Sequence, residues 1–189
     1  MKIKICGLFR DADVAYANET LPDYIGFVFA ESRRRVSAQT AARLRAGLDA
    51  RIAPVGVFAD APIEEVAALV RNGVIDWVQL HGHEDGGYLA ALRALCPAPI
   101  IQAGFTETDA DFMLLDNGSG GTGAAFDWAV IGARQKPFFL AGGINLENID
   151  RAMGFEPYAV DISGGAETDG VKSLEKIAAL VQKARERGK

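Results

Sequence analysis

The sequence predicts a (β/α)8 barrel, compact and with a reduced or missing fifth helix. Three observations carry that expectation. Eight short apolar runs alternate with helical patterns along the chain, the signature of parallel strands joined by crossover helices. The runs are continuously apolar rather than alternating, as in strands covered on both faces. Most strand ends carry glycine or a polar residue, where a barrel of this type opens its active-site mouth.

In order, the first strand is expected at Lys2–Cys6, closed by Gly7, with a helix at Asp11–Asn18. The second unit pairs Tyr24–Phe29 with Ala38–Leu48. The third pairs Ile52–Phe58 with Ile63–Asn72, where Pro62 sits at a helix start that tolerates its missing N–H. Trp77–Leu80 and Gly87–Leu95 form the fourth unit. Ile100–Ala103 is the fifth strand, and Thr106–Asp109 behind it is too short for a full helix. Phe112–Asp116 is followed by the glycine-rich stretch Gly118–Gly123, read as a loop because periodic structure resumes at Phe126-Asp127-Trp128, within a helix at Phe126–Gly132. Phe138–Ala141 leads to a helix at Leu146–Met153, which Asn145 can cap, with Glu147 in the first turn where the helix dipole favours negative charge. Ala159–Ile162 and an amphipathic helix at Ser173–Glu186 close the series. A flavodoxin-like open sheet would leave two runs unexplained. At 189 residues the chain suits one domain, 1–189, slightly below the usual ~200-residue floor for a barrel, so its loops must be short.

Composition narrows the function. The chain is 49% hydrophobic and 24% charged, enough for a sizeable core. A net charge of −5 with no basic stripe argues against nucleic acid. Arg33, Arg34 and Arg35 are the one dense basic cluster and suit a small anion. Lys2 and Lys4 interrupt the first apolar stretch, so no secretory leader is read there, and no apolar run is long enough for a bilayer. Cys6 and Cys96 make no disulfide framework. A cytoplasmic monomer acting on a small molecule is expected.

Cys6 ends its strand, Gly7 beside it leaves room for a ligand, and Lys4 is the next residue inward on the same face. An arbitrary strand cysteine is more often a small buried hydrophobe. A neighbouring ammonium, however, would favour the thiolate and make Cys6 a usable base. Cys96 has no such context. Asp116 ends the sixth strand as either a functional carboxyl or a loop cap; apolar flanks should desolvate it and suit it to a general acid. Gly142-Gly143 and Gly164-Gly165 follow strands seven and eight, where barrels habitually bind phosphate through backbone N–H groups and a helix N-terminus. Of the three arginines, one could turn inward to hold a carboxylate through its planar fork. His81, after Gln79-Leu80, either contacts ligand or pins its loop, and His83 is read as surface. Metal binding is poorly supported, since only His81, Asp116 and Asp161 are candidate ligands. No cofactor fingerprint follows the first strand.

In order along the chain, Lys4-Ile5-Cys6-Gly7, Gly26-Phe27-Val28-Phe29, Val55-Gly56-Val57-Phe58 and Val78-Gln79-Leu80-His81-Gly82 resemble the phosphoribosylanthranilate isomerase family. The likeness continues through Leu114-Leu115-Asp116, Gly120-Gly121-Thr122-Gly123, Phe126-Asp127-Trp128, Ala141-Gly142-Gly143-Ile144 and Val160-Asp161-Ile162-Ser163. The resemblance implies an Amadori rearrangement of N-(5-phosphoribosyl)anthranilate in tryptophan biosynthesis, without metal or cofactor. It makes Asp116 the general acid that opens the ribose ring and Cys6 the general base at C2. Arg34 would face the anthranilate carboxylate. Gly142, Gly143, Asp161, Ser163, Gly164 and Gly165 would line the phosphate side, with His81 also at the substrate.

The chain departs from that pattern at Gly164, where the family often has a second serine, and at Gln102, where a lysine is common. The usual proline near the arginine loop is absent, and the loop from Asn117 to Gly120 is short. Other readings are a different sugar-phosphate epimerase or isomerase, which would need metal ligands or paired aspartates at strand ends, and a non-catalytic phosphate-binding module. The latter has no use for both a thiol and an acid in one mouth.

Overall fold

The computed structural model describes residues 1–116, 128, 131–132 and 134–187. Eight parallel strands close into a barrel in sequence order, β1 to β8, with β8 pairing back onto β1. They are β1 Lys2–Cys6, β2 Tyr24–Val28, β3 Ala53–Phe58, β4 Trp77–Leu80, β5 Ile100–Ala103, β6 Phe112–Leu115, β7 Phe138–Leu140 and β8 Ala159–Ile162. The outer helices are α1 Asp11–Thr20, α2 Ala38–Ala46, α3 Ile63–Arg71, α4 Gly86–Leu95, α5 Ile149–Met153 and α6 Leu174–Glu186. No helix joins β5 to β6, the economy expected from the short fifth unit. The expected helix at Phe126–Gly132 and the glycines Gly118–Gly123 lie mainly or wholly outside the described residues.

Period two sorts each strand into an outer and an inner face. Outward residues such as Ile3, Ile5, Ile25, Phe27, Val78 and Leu80 pack under the helices in one large core. Inward residues Tyr24, Val55, Ile101, Leu114, Phe139 and Ala159 form a second, smaller core inside the barrel. The register links those inward positions strand by strand: Lys4 with Tyr24, Val55 with Trp77, Ile101 with Phe112 and Phe139 with Ala159. Both faces are therefore buried, which is why the runs lack polar alternation.

Near the strand N-termini the barrel is plugged by rings. Phe139 lies 5.6 Å from Tyr24, 5.7 Å from Phe112 and 5.5 Å from Tyr158, centroid to centroid. Lys2 caps this plug, its Nζ 2.7 Å from the Tyr158 hydroxyl. Filling that end with aromatics leaves the C-terminal end as the open one.

Two elements depart from expectation. The helix after β7 begins at Ile149 rather than Leu146, because Asn145 and Asn148 are spent on a turn: Asn145 Oδ1 accepts from Glu147 N (2.9 Å) and Asn148 Oδ1 from Asn145 N (2.8 Å). After β8 the chain makes a short 3-10 turn at Gly164–Ala166, then an antiparallel hairpin of β9 Glu167–Thr168 and β10 Val171–Lys172, before Ser173 caps α6. Two-residue strands carry no periodicity, so the sequence did not signal the hairpin.

Candidate active site

Where the inner face of each strand reaches the open end, side chains stop filling the barrel and begin to line a cavity of about 710 Å³. From β1 comes Cys6, and Gly26 on β2 is what lets it fit. A methyl on Gly26 would lie 2.6 Å from the Cys6 sulfur. Continuing Gln79 on β4 by two residues brings His81 to the wall, and continuing Leu114 on β6 brings Asp116. Asp161 and Ser163 arrive from β8 in the same way. Period two thus converts inward core positions into cavity positions at the strand ends.

Beneath Cys6, Lys4 is fully buried and donates to Asp161 Oδ2 (2.8 Å) and Gln79 Oε1 (2.9 Å). Burial works against its charge, but the Asp161 carboxylate, and then Cys6, outweigh burial and hold the Lys4 pKa above its ordinary value. The ammonium also pulls the Cys6 thiol toward ionisation, as the sequence suggests. Burial is the larger effect, however, and the thiol pKa stands above its ordinary 9.0. Lys4 therefore restrains the desolvation penalty without reversing it.

Asp116 is mostly shielded at the cavity wall, its Oδ2 3.7 Å from His81 Nε2. His81 is held from both sides: its N–H donates to Phe58 O (2.8 Å) and its Nδ1 lies 3.3 Å from Gln79 Nε2. It both lines the cavity and stays tied to its loop, so the two sequence readings are not exclusive. Glu84 is buried and secures the neighbouring loops by accepting from Asp60 N (2.8 Å) and Gly82 N (2.9 Å). His83 lies at the surface against Asp60, as its setting suggested. Gln102, the departure on β5, donates to Glu84 O (2.6 Å) and accepts from Thr108 (2.6 Å), binding the β4 and β5 loops together.

The two glycine pairs abut. A methyl on Gly165 would lie 2.0 Å from Ile144 O, so only glycine permits the loops after β7 and β8 to touch. Gly142 and Gly143 both have positive φ (85° and 68°), a backbone course that favours glycine at each position. Among the described residues, the N–H groups of Gly142, Gly143, Ile144, Gly164 and Gly165 donate to no protein acceptor, and all five residues line the cavity. A row of unspent amides can hold an anion. The helical start beside these pairs is the short 3-10 turn whose first residues are Gly164 and Gly165; α5 starts only at Ile149 and α6 beyond the hairpin. The Ser163 hydroxyl donates to Cys6 O (3.3 Å), tying β8 to β1.

Of the three arginines, Arg34 turns inward and is buried; Arg35 pairs with Glu31 at the surface. Space for Arg34 depends on Gly7, where a methyl would lie 2.3 Å from Arg34 Cδ. Its guanidinium grips Glu167 through Nε (2.6 Å) and Nη2 (3.0 Å), and Lys172 (2.7 Å) and Arg33 share the same carboxylate. Burial alone would raise the Glu167 pKa; the Arg34 and Lys172 contacts reverse that and bring it down from 4.5 to about 2. Three cations on one carboxylate leave this rim net positive. Glu167 and Lys172 escaped the sequence reading because the hairpin that carries them did.

All ten residues singled out from sequence, from Cys6 to Gly165, line this one cavity. Among the described residues no group of three or more His, Cys, Asp or Glu could hold a metal ion, and no helix is long and apolar enough to cross a membrane.

Comparison with known proteins agrees in chain order and extent. The family model for N-(5'phosphoribosyl)anthranilate (PRA) isomerase matches residues 3–183. The enzyme of that name from Endomicrobium trichonymphae is 45% identical, over 96% of this chain and 96% of its own. That of Lactiplantibacillus plantarum is 44% identical, over 99% of this chain and 93% of its own. The Thermus thermophilus crystal structure superposes with a TM-score of 0.88 at 33% identity, covering 99% of this chain and 100% of that one. Another, solved in complex with reduced 1-(o-carboxyphenylamino)-1-deoxyribulose 5-phosphate, has a TM-score of 0.83 at 28% identity, with 98% and 99% coverage. The chain belongs to the N-(5'phosphoribosyl)anthranilate isomerase family.

Proposed function

We propose that Asp116 and Cys6 are the acid and base with which this chain performs its family's reaction, the conversion of N-(5-phosphoribosyl)anthranilate to 1-(2-carboxyphenylamino)-1-deoxyribulose 5-phosphate in tryptophan biosynthesis. The observation that carries the assignment is that thiol and carboxyl, from β1 and the end of β6, face one cavity whose far wall is the amide-lined pair of glycine turns. The amides of Gly142, Gly143, Ile144, Gly164 and Gly165 take the 5′-phosphate. Arg34 keeps Nη1 without a protein partner among the described residues, and this edge takes the anthranilate carboxylate.

Asp116 gives its proton to the ribose ring oxygen as the C1–O bond breaks, and the anilino nitrogen supplies the electron pair that forms the Schiff base. The Cys6 thiolate then removes the C2 proton. The C–H pair moves into a C1–C2 double bond and the iminium is neutralised, giving an enolamine that relaxes to the ketone. Lys4, beside the sulfur, favours the thiolate that the second step needs. A base of this kind requires a reduced thiol, and Cys6 and Cys96 are both free. We place the enzyme in the cytoplasm on that ground. We read the chain as a monomer with its site complete in one chain, and sedimentation tests the oligomeric state.

Purified protein is expected to consume phosphoribosylanthranilate, followed as loss of its fluorescence. Cys6→Ser and Asp116→Asn should each lower kcat by orders of magnitude with an unchanged circular dichroism spectrum. Activity within tenfold of wild type in either variant would reject that residue's role.

A further inference from the structure

Between the thiol and the carboxyl runs a line of polar side chains of which the acid–base scheme uses only Lys4, beside the thiol. Lys4 Nζ reaches Gln79 Oε1 (2.9 Å), Gln79 Nε2 faces His81 Nδ1 (3.3 Å), and His81 Nε2 faces Asp116 Oδ2 (3.7 Å). The direction of this line is settled at one end. A lysine ammonium only donates, so the Gln79 atom facing Lys4 must be its carbonyl oxygen. The Gln79 NH2 group, which only donates, therefore points at His81 Nδ1. Two N–H groups cannot face each other across that contact, so Nδ1 must be the bare, accepting nitrogen. His81 is then the neutral tautomer with its proton on Nε2, directed at Asp116.

We infer that Gln79 is a positioning residue: oriented by Lys4, it holds His81 in the Nε2–H tautomer, so that His81 turns an N–H and not a lone pair toward Asp116 and cannot take its proton. The inference rests on Asp116 as general acid, and the consequence for that role is direct. In the opposite tautomer a bare Nε2 lone pair would face the carboxyl and accept its proton, holding it away from the ring oxygen. With Nε2–H in place, the substrate is the better acceptor, and the carboxylate left after transfer faces the positive end of an N–H dipole. Gln79 is itself buried and its partners come from β1 and the end of β4, so packing maintains the orientation. Sequence reading could not find this, since the amide's direction is set by a residue 75 positions away.

The chain has two histidines, and the second is a built-in control. His83 Nδ1 lies 3.0 Å from the Asp60 carboxylate, which only accepts, so its proton belongs on Nδ1. In 15N-labelled protein at alkaline pH, long-range 1H–15N spectra distinguish the two tautomers, and the exposed His83→Gln variant assigns the signals. The expected result is Nε2–H for His81 and Nδ1–H for His83. Gln79→Glu places an acceptor at Nδ1 and should move the His81 proton there, with kcat falling at least tenfold and KM changing less than threefold. Gln79→Met, which only removes the bias, should give a mixed tautomer and an intermediate kcat. If Gln79→Glu does not fold, the wild-type spectrum and Gln79→Met still decide the matter. Nδ1–H on wild-type His81, an unmoved tautomer in a folded Gln79→Glu, or a moved tautomer with kcat within twofold of wild type would each overturn the inference. Because the spectrum is read without substrate, a failure of the Asp116 assignment would show separately, as an active Asp116→Asn enzyme with the tautomer as expected.

Discussion

Gly26 shows how narrowly the reactive sulfur is accommodated. Its missing side chain is the space Cys6 occupies, and Gly26→Ala puts a carbon 2.6 Å from the sulfur. Overpacking of this kind costs about 1–3 kcal/mol. Here the displaced group is the proposed base, so kcat should fall at least tenfold, more than a neutral core site of equal cost; urea melts beside steady-state rates would show the difference. The Cys6 pKa is raised, chiefly by burial, so the thiolate is the minor form at neutral pH. Removal of the C2 proton, the step that needs the thiolate, should therefore speed up as pH rises toward and past the ordinary 9.0, and a pH profile of C2-proton exchange with solvent checks it. At this scale the sequence reveals much: Lys4 and Cys6 share a face by simple alternation. It does not reveal that Lys4 is divided between the thiol and two further partners, Asp161 and Gln79, because those two lie on β8 and β4.

Among the elements, the β9–β10 hairpin matters most for the substrate and was the least visible. It brings Glu167 and Lys172 against Arg34 and so fixes which edge of the guanidinium remains for a ligand. Removing one partner of a buried ion cluster costs about 3–5 kcal/mol. Glu167→Ala should destabilise at the lower end of that range, and should raise KM more than it lowers kcat as Arg34 loses its orientation. The pH sign follows from the depressed Glu167 pKa. Its contribution is present above 4.5 and is lost as pH falls from there toward about 2, so acid melts of Glu167→Ala should lack that part of the slope. Farther on, Ser173 Oγ accepts from Lys176 N (3.4 Å) as the cap of α6, and Ser173→Ala should cost about 1 kcal/mol in thermal unfolding. That cap is legible because a hydroxyl before an amphipathic run has one local use. Asn145 misleads for the converse reason: its oxygen serves a turn before the helix starts, and α5 begins at Ile149 with no side-chain cap.

For the molecule as a whole, the two ends of the barrel divide labour. Rings close the N-terminal end and leave the C-terminal end free to be polar. Phe139→Ala, at the centre of the ring cluster, should lose about 3–5 kcal/mol of stability. The kcat of the folded enzyme should stay within threefold of wild type, because the cavity is built at the other end; denaturant melts and rates on one preparation test both halves. The sequence by itself determined the barrel and the strand positions, because two-faced burial and period two are local properties that survive without neighbours; the choice of Arg34 among its three arginines came only with the family resemblance. Only the tertiary structure decided how charge is shared there, from burial prevailing over Lys4 at the Cys6 thiol to Glu167 holding Arg34. Those outcomes depend on desolvation and on donors brought together from strands far apart in the chain, which no local pattern encodes.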